Sequence, residues 1–149
     1  MKFLIQVVKK ASVDVNDKTI GSIDRGFLIF VGVCDSDTRE TADKMIRKTV
    51  NLRIFEDENG KTNLSIGDIG GSMLVISQFT LYADCRKGNR PSFVKAGDPT
   101  HANELYEYIL SELKNTYNID TKCGSFGADM QVSLINDGPF TVMLDSEEL

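Results

Sequence analysis

Two short segments, residues 77–82 and 136–141, carry the groups with which this chain could do chemistry. The first follows an apolar run and offers hydroxyl and amide groups, and the second contains a Gly-Pro pair. Neither segment contains a histidine, a cluster of metal ligands or an evident general base. A reaction centred on them must therefore use backbone amides, hydroxyl groups or the substrate itself.

The first segment allows three chemical roles at a strand end, where a rigid backbone meets an open loop. The Thr80 hydroxyl could be a nucleophile, Gln78 could orient a substrate, and the Phe79 N–H could stabilise an oxyanion. A nucleophilic threonine needs a base, and no neighbour in sequence provides one. From spacing alone, an ordinary strand end with Phe79 in the core is the simpler interpretation.

The second segment places Gly138 directly before Pro139. Glycine allows close approach to the backbone and proline fixes φ, so the pair could present two carbonyl oxygens as a stiff wall without side chains. A cis bond would be a special feature, since only ~5% of X–Pro bonds in folded proteins are cis. The simpler interpretation is a hairpin turn between strands at 130–135 and 140–144.

A basic loop and a single histidine complete the candidates. Arg86, Lys87 and Arg90 lie within five residues, and this loop could hold phosphates or could simply be solvated. His101 falls in the first turn of a predicted helix, where it could be a general base. A surface or capping role is more typical of that position.

Composition limits the class of protein. The chain of 149 residues has a net charge of −5, which argues against broad, charge-driven nucleic-acid binding but permits a local basic site. Three widely spaced cysteines suit reduced thiols rather than disulfides or a zinc site. The N-terminal stretch is too short and too soon charged for a signal peptide, and no apolar run has the length of a membrane span. We expect a cytoplasmic protein without membrane contact.

Apolar patterning predicts the elements that position these groups. Strands are expected at 2–8, 12–15, 26–33, 52–55 and 73–76, with a hairpin turn at 57–60. A helix is expected at 38–51, capped by Asp37 with Glu40, and a second begins at Asp98 and Pro99. We therefore expect an α/β fold, a strand-rich single domain (1–149) in which mixed β-sheets form a barrel-like core with two main α-helices.

The same segments resemble motifs of the D-aminoacyl-tRNA deacylase family. Residues 77–83 are similar to one family motif and 136–141 to another, in which valine often stands at the place of Phe140. Residues 50–55, 86–93 and 126–132 are also similar to family segments. The resemblance covers essentially the whole chain and ends shortly after Asp145.

The resemblance implies a cytoplasmic homodimer that hydrolyses the ester between a D-amino acid and the terminal adenosine of tRNA, and that also removes glycine from mischarged tRNA. It implies active sites at the subunit interface, with a cis Gly-Pro bond entering the partner's pocket and the terminal 2′-hydroxyl helping to activate water. Neither a metal nor a cofactor is implied. The residues assigned are Gln78 for positioning, the Phe79 N–H for the oxyanion and Thr80 as a contributing polar group; Ser77, Met130, Gly138 and Pro139 for substrate contact; and Arg86, Lys87 and Arg90 for tRNA.

Two alternatives remain at the level of sequence. One is an esterase that uses Thr80 as nucleophile and His101 as base, which a trapped acyl group on Thr80 would favour. The other is a non-catalytic, dimeric RNA- or DNA-binding protein that uses the basic loop. Tight nucleic-acid binding without ester turnover would favour it.

Overall fold

The structure, a computed structural model, describes residues 1–138 and 140–149, so the predicted cis bond and wall role of Pro139 lie outside the described residues. Eight strands, two α-helices and a 3₁₀ turn follow in chain order. They are β1 (Lys2–Val15), β2 (Lys18–Ile23), β3 (Gly26–Gly32), α1 (Arg39–Val50), β4 (Phe55–Glu56), β5 (Thr62–Leu64), β6 (Ser72–Ser77), the 3₁₀ turn (Phe79–Tyr82), α2 (Pro99–Asn115), β7 (Thr121–Cys123) and β8 (Gln131–Asp145).

One mixed sheet holds six of these strands. Strand β1 pairs antiparallel with β2, β3 and β8, while β3–β6 and β6–β7 are parallel pairs. The sheet curls until β2 approaches β7, and a Cβ built on Gly21 would lie 2.9 Å from the Cys123 carbonyl oxygen. The expected α/β domain with a barrel-like mixed sheet and two helices is confirmed.

Two apolar clusters fill the two sides of the sheet. Along β3 and β6 successive side chains are buried, as expected for strands covered on both faces. Leu28, Leu74 and Ile76 point into the barrel, whereas Phe27, Ile29 and their neighbours pack under α1 and α2. These two central strands therefore give the residues that follow them a rigid base.

The start of α1 differs from the sequence prediction. Thr38, not Asp37, is the N-cap residue, and it forms the capping box with Thr41. Asp37 is buried, and its carboxylate accepts hydrogen bonds from the Met1 amino group at 2.6 Å and from the Cys34 N–H at 2.8 Å. A carboxylate engaged in a buried ion pair is not available as a cap. The predicted start of α2 at Asp98 and Pro99 is confirmed, and the structure shows Asp98 as its N-cap residue.

The predicted hairpin around Gly138 is wrong. Residues 131–145 form one strand, β8, which runs antiparallel along the whole of β1. Asn136 pairs with Val8, and Thr141 pairs with Gln6. The segment of β8 between these two pairs, residues 137–140, is therefore longer than the matching segment of β1, which is a single residue. The extra length is accommodated as a bulge rather than as a turn, because β1 is long enough to pair on both sides of it.

Strand β1 is also longer than predicted, since it runs without a break through the exposed Lys9 and Lys10. The short strand predicted at 52–55 begins only at Phe55, and the predicted turn after it is confirmed by the β4–β5 pairing. No helix in the described part of the chain has the length and apolar character needed to cross a membrane.

Candidate active site

The first candidate segment begins where β6 ends beside β3. Ser77 pairs with Val31, and the Gln78 N–H donates to the Val31 carbonyl at 2.7 Å. The chain then enters the 3₁₀ turn, in which the Leu81 N–H donates to the Gln78 carbonyl at 3.3 Å. The turn is therefore fixed at its start to two buried strands.

This turn leaves two backbone donors without a partner. The first N–H groups of a helical turn have no intrahelical acceptor, and here they belong to Phe79 and Thr80. No acceptor among the described residues takes either of them. Adjacent, preorganised N–H groups are the kind of donor that stabilises a developing oxyanion. The Thr80 N–H was not predicted from sequence, because only the 3₁₀ geometry reveals it.

A cavity of about 460 Å³ opens beside these donors. Its size falls in the range of small-molecule sites, and its lining is mainly apolar. Four predicted site residues line it, because the fold brings Met130 to the consecutive residues Ser77, Gln78 and Phe79. The remaining lining residues are Val31, Val33, Ile76, Ala96, Gly97, Pro99, Ala102, Tyr106, Phe126, Gly127, Ala128, Asp129 and Val132.

Gln78 and Thr80 are coupled at the cavity edge. The Gln78 amide nitrogen donates to the Thr80 hydroxyl oxygen at 2.5 Å, which fixes the orientation of the amide. Thr80 itself does not line the cavity. The contact partner of its hydroxyl is an amide rather than a basic group, so the geometry supports a positioning role for Thr80 more than a nucleophilic one.

The far wall comes from α2 and the loop before β8. Tyr106 donates its hydroxyl to the Val75 carbonyl at 2.8 Å, and its ring lies 6.0 Å from that of Phe126. Burial raises the pKa of Tyr106, so this hydroxyl stays protonated and keeps its hydrogen bond. Met130 packs against Gly124, where an added Cβ would clash with the Met130 sulfur and would displace that side chain. Tyr106 and Phe126 were not predicted as lining residues, because only the tertiary fold brings them to β6.

The Phe79 side chain is not part of the core. It is 57% exposed and meets the Phe93 ring edge to face, with 5.2 Å between ring centroids. The alternative that explained this segment as an ordinary, core-packed strand end is therefore wrong for Phe79.

Gly138 does not line the cavity of its own chain. It borders a separate recess of about 70 Å³ with Val7 and Phe140. Its φ of +119° is a conformation that side-chain-bearing residues rarely adopt. The Asn136 amide spans the bulge, since its nitrogen donates to the Val7 carbonyl at 3.0 Å and to the Phe140 carbonyl at 3.1 Å.

The basic loop is closed at its base by Asp84 and Ser92, which exchange backbone hydrogen bonds of 2.8 and 3.0 Å. Arg86 binds the Asp84 carboxylate through Nε and Nη2 and holds the pKa of that carboxyl well below its usual range. Lys87 and Arg90 are exposed and form no ion pair with any described residue. Of the three predicted phosphate-binding residues, Lys87 and Arg90 therefore have positive charges that are less compensated by a carboxylate than that of Arg86.

His101 lies outside the cavity lining. Its Nε2 is 3.0 Å from the Asp37 carbonyl oxygen, to which the Nε2–H tautomer donates. This bond ties the start of α2 to the loop before α1. The esterase alternative with His101 as base therefore gains no support from the geometry. The described residues also contain no group of three or more His, Cys, Asp or Glu side chains arranged to hold a metal ion.

The fold is thus a nearly closed mixed sheet that carries a cavity and two unpartnered backbone N–H groups at the end of a central strand. The chain belongs to the D-Tyr-tRNA(Tyr) deacylase family, because the model of that family matches residues 4–145. The family resemblance of the sequence motifs is thereby confirmed, and with it the class of enzyme, a hydrolase of the D-aminoacyl-tRNA deacylase type.

Curated relatives support the same assignment. The chain is similar to the D-aminoacyl-tRNA deacylase of Thermosipho africanus (strain TCF52B), with 51% identity over 149 residues that cover 100% of this chain and 99% of the relative. It is also similar to the D-aminoacyl-tRNA deacylase of Clostridium novyi (strain NT), with 51% identity over 99% of each chain.

Solved structures share the fold. The c-Myc DNA Unwinding Element Binding Protein superposes with a TM-score of 0.92 at 41% identity, covering 97% of this chain and 98% of that one. A probable eukaryotic D-amino acid tRNA deacylase superposes with a TM-score of 0.85 at 16% identity, covering 96% and 97% of the two chains. The second likeness concerns the fold alone.

Proposed function

We propose that this protein hydrolyses the ester bond of D-aminoacyl-tRNA, and of glycine mischarged on tRNA, to release free amino acid and tRNA. The observation that carries the proposal is the pair of unpartnered N–H groups of Phe79 and Thr80 at the edge of the cavity lined by Gln78. The family membership and the names of the curated relatives supply the substrate class.

In this mechanism the aminoacyl group enters the cavity and its ester carbonyl faces the 3₁₀ turn. The Phe79 N–H, with the Thr80 N–H beside it, stabilises the oxyanion that forms when water attacks. Gln78, held by Thr80, positions the substrate. The 2′-hydroxyl of the terminal ribose activates the water, a role for which the described cavity lining offers no histidine and a single carboxylate, that of Asp129.

Chiral selection follows from a backbone wall. With the α-amino group and the ester carbonyl both held, the side chain of an L-residue is driven against the carbonyl oxygens of Gly138 and Pro139, whereas that of a D-residue points away. Glycine has no side chain and passes. Gly138 lies outside the cavity lining of its own chain, which supports delivery of this wall by a second subunit.

The proposed homodimer has a candidate surface along β8. This strand pairs with β1 alone among the described strands, and it exposes Leu134, Ile135 and Met143 by 36%, 46% and 49%. An uncovered strand edge with apolar side chains favours association with another chain. A two-fold contact through β8 would give two equal sites, each completed by the partner.

The proposed tRNA contact is the basic loop, in which Lys87 and Arg90 are open to phosphate and Arg86 is shared with Asp84. We place the reaction in the cytoplasm, where Cys34, Cys85 and Cys123 remain the free thiols that the structure contains.

The test compares D-tyrosyl-tRNA with L-tyrosyl-tRNA and measures release of tyrosine by the purified protein. A steric penalty of about 2.7 kcal/mol for the L-ester corresponds to about a hundredfold in rate, so the D-ester should be cleaved at least that much faster. Equal rates on the two esters would refute the chiral mechanism.

A second candidate function is non-catalytic DNA binding, which is favoured by one observation, the name of the structural relative with 41% identity. Tight binding of a DNA duplex without turnover of either ester would support it over the deacylase.

A further inference from the structure

An aromatic pair lies at the mouth of the cavity, outside the chemistry described so far. Phe79 is one of the residues that line the cavity, yet it is 57% exposed. Phe93 does not line the cavity and is 37% exposed. Their rings meet at 70° with centroids 5.2 Å apart. An edge-to-face pair of this kind leaves aromatic faces open to a third ring.

The basic loop adjoins this aromatic pair at its base. The backbone hydrogen bonds between Asp84 and Ser92 close the loop, so that Phe93 follows its base directly. Lys87 and Arg90 are exposed on the loop, in a chain whose net charge is −5. Open aromatic faces at the base of a loop that carries cations are a combination suited to single-stranded nucleic acid, through base stacking and phosphate contact.

We propose that Phe79 and Phe93 form a stacking platform for the unpaired nucleobase immediately before the terminal adenosine of the tRNA, while Lys87 and Arg90 contact the adjoining phosphates. This inference rests on the proposed function, because it needs an aminoacyl ester in the cavity. The Phe79 backbone then faces the ester, and its side chain directs the preceding nucleotide toward Phe93. The platform recognises single-stranded RNA through its bases rather than through charge alone.

The first test compares two D-tyrosyl esters, one on whole tRNA and one on adenosine alone. Phe93→Leu removes the aromatic face but keeps an apolar side chain. It should raise KM for D-tyrosyl-tRNA about tenfold, the effect of losing one ordinary base–aromatic stack, and leave kcat unchanged. It should not change turnover of D-tyrosyl-adenosine, which lacks the preceding base. Phe93→Trp should retain the wild-type KM.

The matched control is Val94→Ala. Val94 is the next residue and 89% exposed, but it has no aromatic face, so its loss should leave both substrates unaffected. Wild-type KM for D-tyrosyl-tRNA in Phe93→Leu would overturn the platform. So would an equal loss on both substrates, which would indicate a structural role for Phe93. If the wild-type protein cleaves neither ester, the proposed function fails first and takes this inference with it.

The second test does not depend on activity. The chain contains four tyrosines but no tryptophan, so Phe93→Trp introduces a single tryptophan at the platform, and its fluorescence can be excited selectively at wavelengths beyond the tyrosine absorption. An RNA tetranucleotide ending in CCA should quench its fluorescence in a saturable manner. The same oligonucleotide with an abasic residue before the terminal adenosine should quench it weakly. Equal quenching by the two oligonucleotides would show that no base stacks on Phe93.

Discussion

Gly32→Ala should damage catalysis through the backbone of the 3₁₀ turn, without touching a side chain assigned to the chemistry. Gly32 ends β3 under this turn, and a Cβ built on it would lie 3.0 Å from the Leu81 Cβ and 3.3 Å from the Gln78 carbonyl oxygen. Carbon atoms in good contact are about 3.5–4.0 Å apart, so the turn must shift by about 0.5–1 Å. A misplacement of about 1 Å can cost about a hundredfold in rate.

We therefore expect kcat for D-tyrosyl-tRNA to fall about 10- to 100-fold, with little change in KM. Overpacking should also cost about 1–3 kcal/mol of folding free energy, so thermal unfolding followed by circular dichroism must show that the variant is folded at the assay temperature. Gly67→Ala is the matched control, because the nearest atom to its added Cβ is the Ser65 hydroxyl at 3.8 Å, an ordinary contact. A folded Gly32→Ala protein with wild-type kcat would refute the assignment of the oxyanion donors to this turn.

Three further variants test the assigned roles. His101→Ala should keep most of the activity measured by tyrosine release, and a loss above a hundredfold in a folded protein would restore it as a candidate base. Thr80→Ala removes the hydrogen bond that orients Gln78 and should cost about tenfold in rate, an ordinary hydrogen-bond effect, whereas a loss of ~10³-fold would favour the covalent mechanism. Replacing Lys87 and Arg90 with Ala should raise KM and reduce the log–log salt slope of tRNA binding by roughly 0.7–0.9 per lost phosphate contact. An unchanged slope would show that the loop is only solvated surface.

The parts of the fold that the sequence predicted well are those with strong local signals. Residues 26–33 and 73–76 are continuous apolar runs, and both proved to be strands buried on two faces. The start of α2 could be predicted from Asp98 and the following proline alone, because both act within one turn. Each of these signals depends on neighbours close in sequence, which a single chain displays directly.

The errors arose where a distant partner overrode the local signal. Asp37 looked like a helix cap, but its carboxylate pairs instead with the Met1 amino group, 36 residues away. The segment around Gly138 looked like a turn, but its pairing with β1 on both sides makes it a bulge within a strand. The cavity wall formed by Tyr106 and Phe126 escaped prediction for the same reason, since the sequence of a helix or of a loop does not reveal which distant strand a residue faces.

The bulge at Gly138 leads to the last prediction, that each active site is built from two subunits. Gln78 lines the cavity, whereas Gly138 of the same chain borders a separate recess, so a wall made by Gly138 must come from another copy. Gly138→Val should disable the wall, because its φ of +119° strains any side-chain-bearing residue. Gln78→Ala should disable the cavity.

If sites are shared, a mixed dimer holds one site with both lesions and one with neither. Half of the dimers are mixed after random exchange and each keeps one of two sites, so activity should return to about a quarter of wild type. Exchange verified by mass spectrometry without recovery of activity would place Gly138 and Gln78 in the same subunit's site, and the wall would then have to be assigned to other residues.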